Sequence, residues 1–437
     1  MSHASVYATP EVRRIPLSGN KKDKTVPPPS KTGVPRARTP VSVAMGKNPG
    51  RNRSHNRRVV LELLRRNGPM GRKAMADLAQ ISTQAVGNII EDLMAEGLLL
   101  DLGRLRSGRG LPPIQYALNP DGAITLGFEI AVGELTVTVL DIGGNLRHEA
   151  HIPLPDMASG PVLSLVADSV ARLRADFPGQ VMGIGVVMPG PFGIEGLSGV
   201  GPTTLHGWTE LAVAQDLAQR CGVPVYVDND ANAAAVGELL FGKGQNVSHF
   251  CQVYFGAGTG LGAIIDDQPL RGAFGNAGEI GHIVVAPGGR PCQCGQSGCL
   301  ERYASLHRLR EMLEAAGEPV TLDDLRRHHR DGHPVLDEWL ATAAQHLSAM
   351  IGIVENIFDP QTVIIGGKLP GAVLDALVER LTIPSTVANR ADRTLPRVQR
   401  GQTGQASAAL GAAALPFFNA ITPRLDRAED SLVPTTD

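Results

Sequence analysis

The sequence predicts an α/β body of about 300 residues behind a small N-terminal winged helix-turn-helix unit, and three observations carry this prediction. Strands alternate with helices and Gly-rich turns from Ala123 onward. Three short helical segments and an Arg-rich hairpin occupy residues 54–119, and the charge divides between the same two regions. Residues 1–119 hold 20 Lys/Arg against 8 Asp/Glu, a balance of +12, so the remaining 318 residues sum to −14 within a net charge of −2. A basic front on an acidic body is an expected footprint of nucleic-acid contact, although basic tails also serve only to solubilise.

Residues 1–53 carry eight prolines and eleven Lys/Arg with almost no periodic apolar content, and are expected to stay disordered because they cannot offset the entropy of ordering. The first helical segment presents Val60, Leu63 and Leu64 and stops at Asn67-Gly68-Pro69. The second, from Arg72 to about Gln80, presents Met75, Leu78 and Ala79. In the third, Ser82 is the N-cap, Val86, Ile89, Ile90 and Leu93 form the apolar face, and Gly97 stops the helix. The short link between the last two segments makes the third a recognition helix. Its outward positions are Thr83, Gln84, Gly87 and Asn88: Gln and Asn can pair bidentately with adenine, and Gly87 would allow close backbone approach. Strands at Leu98–Leu100 and Ile114–Leu118 flank an Arg/Gly tip. This reads as a wing with Arg104, Arg106 and Arg109 available to phosphates or a narrow minor groove.

In the body, β runs are expected at Leu135–Val139 (alternating), Val181–Met188, Val225–Val227 and Thr362–Ile365, followed by an Ala-rich helix over 405–418 and a flexible tail over 422–437. No apolar run approaches the roughly 18 residues that span a bilayer, and the N-terminus has no hydrophobic signal core. No membrane association and a cytoplasmic location are therefore expected. Of five cysteines only Cys221 and Cys251 fall outside one short cluster, which argues against a disulfide scaffold.

That cluster lies between Gly278 and Glu301, in G-E-I-G-H followed by C-Q-C-G-Q-S-G-C-L-E. His282, Cys292, Cys294 and Cys299 supply one nitrogen and three thiolates, the closed tetrahedral set of a structural Zn2+, and Gly295 and Gly298 let so short a segment fold back. Glu279 and Glu301 bracket the ligands, a face suited to hydroxyl-rich molecules. At V-D-N-D-A-N-A-A a strand ends and a helix begins. Asp230 could there take a proton from a hydroxyl that Asn229 fixes, or the pair could simply cap the helix. In F-G-A-G-T-G-L-G-A, Gly258, Thr259, Gly260 and Gly262 suggest a turn whose amides cradle phosphate, with the Thr hydroxyl as a further donor; a plain hairpin explains them equally. Gly366 and Gly367 end a buried strand and permit close approach of a flat ring or of another backbone.

In this order, and together with P-G-P at Pro189–Pro191 and I-F-D-P…I-I-G-G at Ile357–Gly367, these segments resemble the ROK family of repressors, open reading frames and sugar kinases over about Arg53 to Phe418. The resemblance implies an actin-like ATPase (ribonuclease H-like) two-lobed fold. Its N-terminal lobe would span 120–235, completed by the helix over 405–418, and its C-terminal lobe with the zinc site would span 236–404. It also implies a sugar or sugar phosphate held by Asn229, Asp230, Glu279, His282 and Glu301, with Asp230 at the kinase members' catalytic-base position. Kinase members open the body with D-x-G-G-T-K, which wraps ATP phosphates, whereas here Glu129-Ile-Ala-Val-Gly-Glu134 stands in that place. Ala131 and Val132 add side chains where amides must approach oxygen, Glu134 adds negative charge, and Gly258 to Gly262 with Gly366 and Gly367 remain as nucleotide-site remnants. The family's asparagine before Leu-x-Gly-Trp is Thr204. The expectation is a sugar-responsive DNA-binding regulator, most simply a repressor of carbohydrate uptake or catabolism genes. It would act on a double-stranded DNA operator as a homodimer or homotetramer, without efficient kinase activity. The alternatives are a sugar kinase that keeps a DNA-binding module and a sensor whose helix-turn-helix contacts only protein.

Overall fold

The computed structural model describes residues 49–104, 113–193, 205, 208 and 210–420. The N-terminal tail up to residue 48, Arg106 and Arg109 at the wing tip, Thr204 and the C-terminal tail lie outside the described residues. The described residues form two compact units, one ending at Leu118 and one running from Asn119 to Asn419.

The first unit comprises α1 (Pro49–Asn67), β1 (Met70–Gly71), α2 (Arg72–Ala79), α3 (Thr83–Ala95), β2 (Leu99–Arg104) and β3 (Ile114–Leu118), with sheet order β1-β3-β2. Ser82 caps α3 by accepting from the Ala85 amide at 3.1 Å. Val86, Ile89, Ile90 and Leu93 are all buried, as their spacing requires. The other two apolar faces differ from expectation. Leu61, not Leu63, is buried with Val60 and Leu64, and α2 buries Met75 and Ala76 while Leu78 is 59% exposed. An eight-residue helix ending at a left-handed Gln80 (φ 55) turns only one narrow face inward. Helix α1 begins at Pro49 rather than at Ser54, and Arg53, expected in the disordered tail, pairs with Asp92 of α3 at 2.6 Å. Strand β1, too short to read from the sequence, pairs Met70 with Tyr116. Gly87 is not an outward position: it is buried, and a Cβ there would stand 3.3 Å from the Arg72 guanidinium. Its missing side chain makes room for Arg72, whose Nε donates to the Tyr116 hydroxyl at 3.2 Å.

The second unit opens with a five-stranded sheet ordered β6-β5-β4-β7-β8. It is built from β4 (Ala123–Ala131), β5 (Glu134–Asp141), β6 (Leu146–Pro153), α4 (Ser159–Asp176), β7 (Gln180–Met188), α5 (Glu210–Cys221) and β8 (Val225–Asn229). Its core gathers Phe128, Val186, Leu205 and Trp208. Next come α6 (Asp230–Phe241), β9 (Phe250–Phe255), β10 (Thr259–Ile265), β11 (Gln268–Pro269), α7 (Leu306–Ala315), α8 (Leu322–Arg330) and α9 (Pro334–Phe358). After these lie β12 (Thr362–Gly367), α10 (Gly371–Arg380), β13 (Val398–Arg400) and α11 (Ser407–Ala420). The second sheet runs β11-β10-β9-β12-β13 over a core centred on Trp339 and Phe255. Strand β5 does not alternate, because both of its faces are covered: Thr136 and Thr138 are buried, and the Thr138 hydroxyl donates to the Ala409 carbonyl of α11 at 2.8 Å.

Helices α6 and α11 fill the seam between the two sheets, and small residues set how closely they approach. A Cβ at Gly185 would stand 1.8 Å from the Ala412 carbonyl oxygen, one at Gly262 2.3 Å from that of Ala231, and one at Gly411 1.7 Å from that of Ala233. Thus α11 lies directly on the first sheet, α6 on the second, and the two helices touch backbone to backbone. Ala231, Ala233 and Ala234 of α6 pack with Val187 of the first sheet, and Ala235 and Val236 with Phe250 and Ile264 of the second. Replacing Gly411 by Ala should lower stability by about 3 kcal/mol, since no rotamer change relieves a Cβ against backbone. Urea unfolding of Gly411→Ala checks this; a midpoint equal to wild type would mean that the helices can separate freely.

Candidate functional site

Residues from both lobes converge where β8 ends and α6 begins. Asn229 caps α6, its Oδ1 accepting from the amides of Ala231 (2.8 Å) and Asn232 (3.3 Å). The capping reading is therefore correct, and it uses only one end of the amide. A Cβ on Gly190, in the P-G-P loop after β7, would stand 2.9 Å from Asn229 Nδ2 and 2.7 Å from Glu279 Oε1. Only a glycine there leaves these two polar groups facing the same space. The Asn276 side chain brackets the next loop residue, accepting from the Phe192 amide at 2.7 Å and donating to its carbonyl at 2.8 Å. Desolvation, reinforced by the nearby Glu129 carboxylate, pushes Asp230 up to about 7. Desolvation also raises Glu279, with Glu301 adding to the shift and His282 opposing it. Asp228, buried one residue further back, is satisfied by Arg271 at 2.8 Å and Asn232 at 3.3 Å.

Glu301 lies 3.7 Å from His282 Nδ1 and accepts from Cys292 Sγ at 3.4 Å. His282, Cys292, Cys294 and Cys299 place their ligand atoms within 4.8 Å of one another, with 3.6 Å from His282 Nδ1 to Cys292 Sγ and 3.5 Å between Cys294 and Cys299. A tetrahedral zinc with Zn–S near 2.3 Å needs sulfurs about 3.8 Å apart, so the donor set fits the ion. The turn that gathers them requires Gly298, whose φ is 91 and where a Cβ would stand 1.8 Å from the Ala286 carbonyl oxygen. Burial pushes the Cys292 thiol up to about 11 and Cys299 higher still, which disfavours bare thiolates at these two positions and suits a site that a cation completes.

Of its two readings, the glycine-rich segment takes the plain hairpin. Gly258 lies in the β9–β10 turn, but Thr259, Gly260 and Gly262 belong to β10, opposite Phe255, Tyr254 and Gln252. The Thr259 hydroxyl donates to the Ala304 carbonyl and is not free for phosphate. Gly260 and Gly262 instead admit α6, whose Ala231 side chain lies 2.9 Å from where a Gly260 Cβ would stand. At the end of β12, a Cβ on Gly367 would stand 2.3 Å from the Phe255 carbonyl oxygen, so of the two readings the close approach is to another backbone.

Lys368, directly after Gly366-Gly367, is a site residue that no motif of the sequence marks. Lys368 Nζ lies 2.8 Å from Glu129 Oε2 and 3.3 Å from Glu134 Oε1, and it donates to the Thr136 hydroxyl at 3.0 Å. The Tyr254 hydroxyl donates to the other Glu129 oxygen at 2.7 Å. Desolvation alone would depress the ammonium, but the two carboxylates outweigh it and hold Lys368 above its ordinary range. Glu134 also meets His151, whose hydrogen bond is the main cause that lowers it to about 2. Glu134 and then Glu149 raise His151 to about 9. The β4–β5 hairpin, expected to repel anions through Glu134, is thus an acidic seat for a lysine from the other lobe. The only sequence signal was a basic residue directly after Gly366-Gly367.

A pair of five-stranded sheets with two helices in the seam, polar groups gathered above it and a Cys3His cluster beside it define an actin-like two-lobed protein with a candidate metal-braced cleft. The chain belongs to the ROK family, whose profile matches residues 125–417. It is 26% identical over 322 residues to a xylose repressor of Bacillus spizizenii, covering 72% of this chain and 82% of that one. It is 28% identical over 374 residues to the DNA-binding transcriptional dual regulator NagC of Escherichia coli, covering 82% and 91%. Among solved structures, a ROK family transcriptional regulator described as a homolog of the E. coli MLC protein superposes with TM-score 0.66 at 25% identity over 86% of this chain and 98% of that one. A ROK glucokinase from Streptomyces griseus, in complex with glucose and AMPPNP, gives 0.57 at 27% identity over 67% and 98%.

Two outcomes follow from the charge network. Lys368→Met should destabilise the body by about 3 kcal/mol because it strands Glu129, and the double variant with Glu129→Gln should recover part of that loss. Strict additivity in urea unfolding would show that the pair is not coupled. Because the folded state raises His151 from 6.5 to about 9, its contribution is complete below about pH 6.5 and is lost as pH rises through 9. The melting temperature should fall across that window in wild type and less in His151→Gln.

Proposed function

We propose that the chain is a sugar-responsive DNA-binding transcriptional regulator, a repressor of carbohydrate uptake or catabolism genes, without efficient kinase activity. The observation that carries this reading is the Lys368 ammonium seated on Glu129 and Glu134. That hairpin is where kinase members hold ATP phosphates, and here it is occupied by a side chain. Phosphoryl transfer depends on positioning and charge stabilisation, so an acidic, already filled hairpin removes most of what the reaction needs. The polar space beneath Gly190 remains, and Asn229, Asp230, Glu279, His282 and Glu301 are its proposed sugar contacts. Zinc in the Cys3His cluster would hold His282 and the 279–301 segment in place as a scaffold.

The first unit would bind a double-stranded operator. Thr83, Gln84 and Asn88 are exposed on α3, as base readout requires, and Arg104 ends β2 at the wing. The NagC match covers 82% of this chain, more than the body alone provides, which supports a shared front unit. Two such units on a two-fold axis would read a roughly palindromic site, so the proposed working form is a homodimer or homotetramer. The relatives' names make a pentose such as xylose and an amino sugar such as N-acetylglucosamine the first effectors to test. Whichever binds can shift DNA affinity only by its differential affinity for the two states. Asp230 at about 7 also suits a general base, and this observation favours the second reading, a sugar kinase.

A gel shift on the protein's own upstream region, with and without each sugar of such a panel, tests the proposal. A shift that one sugar alters, weakened by Gln84→Ala and made sugar-blind by Glu279→Gln, is expected; no shift at low salt contradicts it. Cys294→Ser should release zinc and abolish the sugar response while α3 still binds DNA. A zinc-free variant with full sugar affinity would show that the metal is not the scaffold.

A further inference from the structure

Away from the cleft, a second group of metal-type ligands lies in the segment joining α7 to α9. Glu318, His328 and His333 place one ligand atom each within 4.8 Å of the other two. Local structure imposes the arrangement. A capping box, with the Thr321 and Asp324 side chains each accepting from the other's amide, fixes the start of α8 just after Glu318. His328 stands in the last turn of α8, and the chain then reverses at Gly332, whose φ is 66. The His333 amide donates to the His328 carbonyl at 2.9 Å, and Pro334 starts α9 immediately afterwards. The two imidazoles therefore meet edge to face with centroids 4.5 Å apart, and His333 Nε2 lies 3.5 Å from Glu318 Oε1.

The hydrogen bonding fits ligation. His328 Nε2 lies 3.1 Å from the Pro319 carbonyl oxygen, which can only accept, so the proton sits there and Nδ1 keeps its lone pair. A metal-bound histidine is held in this way, one nitrogen donating to a carbonyl and the other left for the ion. His333 Nδ1 is buried and has no hydrogen-bond partner among the described residues. His328 is 3% exposed, whereas the side chains of His333 and Glu318 are 21% and 38% exposed, so the group has a solid floor and an open side.

We propose that Glu318, His328 and His333 form a second divalent metal site, independent of the Cys3His cluster and of the sugar and DNA readings. Two imidazoles and one carboxylate suit a borderline ion such as Zn2+, and this set leaves a fourth position for water on the open side. The alternative is an edge-to-face histidine pair at a helix end with an ordinary ion pair to Glu318.

Cobalt loading of the full chain separates the two. Co2+ on thiolates gives an intense charge-transfer band, and Co2+ on imidazole and carboxylate does not. Equilibrium dialysis gives total metal, and the band gives the thiolate-bound share. The expected result is one additional equivalent outside the thiolate band in wild type, lost in His333→Ala and in Glu318→Gln with the band and the circular dichroism unchanged. No additional equivalent in wild type, or one that survives both substitutions, overturns the proposal.

Discussion

Burying the Lys368 ammonium is tolerable only because Glu129 and Glu134 face it, and this constraint reaches both lobes. Glu129 sits on β4 in the first sheet, and Lys368 follows β12 in the second. Neither charge could remain buried without the other, so the end of β12 and the β4–β5 hairpin are held together across the seam. Tyr254 satisfies the second Glu129 oxygen, and His151 and Glu149 extend the network to the edge strand β6. Asp230 is affected as well, because Glu129 is one of the two main causes that raise it. Glu129 thus links the Lys368 ion pair to Asp230 at the start of α6.

The second constraint is steric. Helices α6 and α11 touch each other and both sheets through positions where no Cβ fits, notably Gly185, Gly262 and Gly411. Packing of this kind has few intermediate arrangements, so relative motion of the lobes would move α6 as a body. Because Asn229 and Asp230 open that helix, a ligand bound at the proposed site would act on an element that both sheets touch. Glu301 and His282, 3.7 Å apart in the Cys3His turn, both act on Glu279, which faces Asn229 across Gly190.

Much of this was legible in the sequence, for physical reasons that differ by element. The Cys3His set could be read because ligand chemistry allows few residue types at few spacings. The α3 face could be read because four apolar side chains repeat at helical spacing behind a serine cap. The Asn229-Asp230 step was visible as strand end and helix start, although its capping and ligand-facing roles could not be separated. The failures are also instructive. Gly260 and Gly262 fit a phosphate turn and a plain hairpin equally in the sequence, because glycine reports only that something comes close, and here that partner is α6. Gly87 misled in the same way, its neighbour being Arg72. Leu78 was placed in the core because an eight-residue segment leaves the phase of its face poorly defined. Lys368 was missed altogether: its partners lie more than two hundred residues away, and no local pattern encodes such a meeting.

In the proposed reading Lys368 and the two carboxylates close the phosphate half of the site while the sugar half stays open. The most direct measurement is a coupled ATP-turnover assay on the zinc-loaded full chain over a panel of hexoses, pentoses and amino sugars. The account predicts no sugar-dependent turnover, including with any sugar that raises the melting temperature. Turnover at ordinary kinase rates, about 1 to 100 per second, would contradict it and make the chain an enzyme that carries a DNA-binding unit.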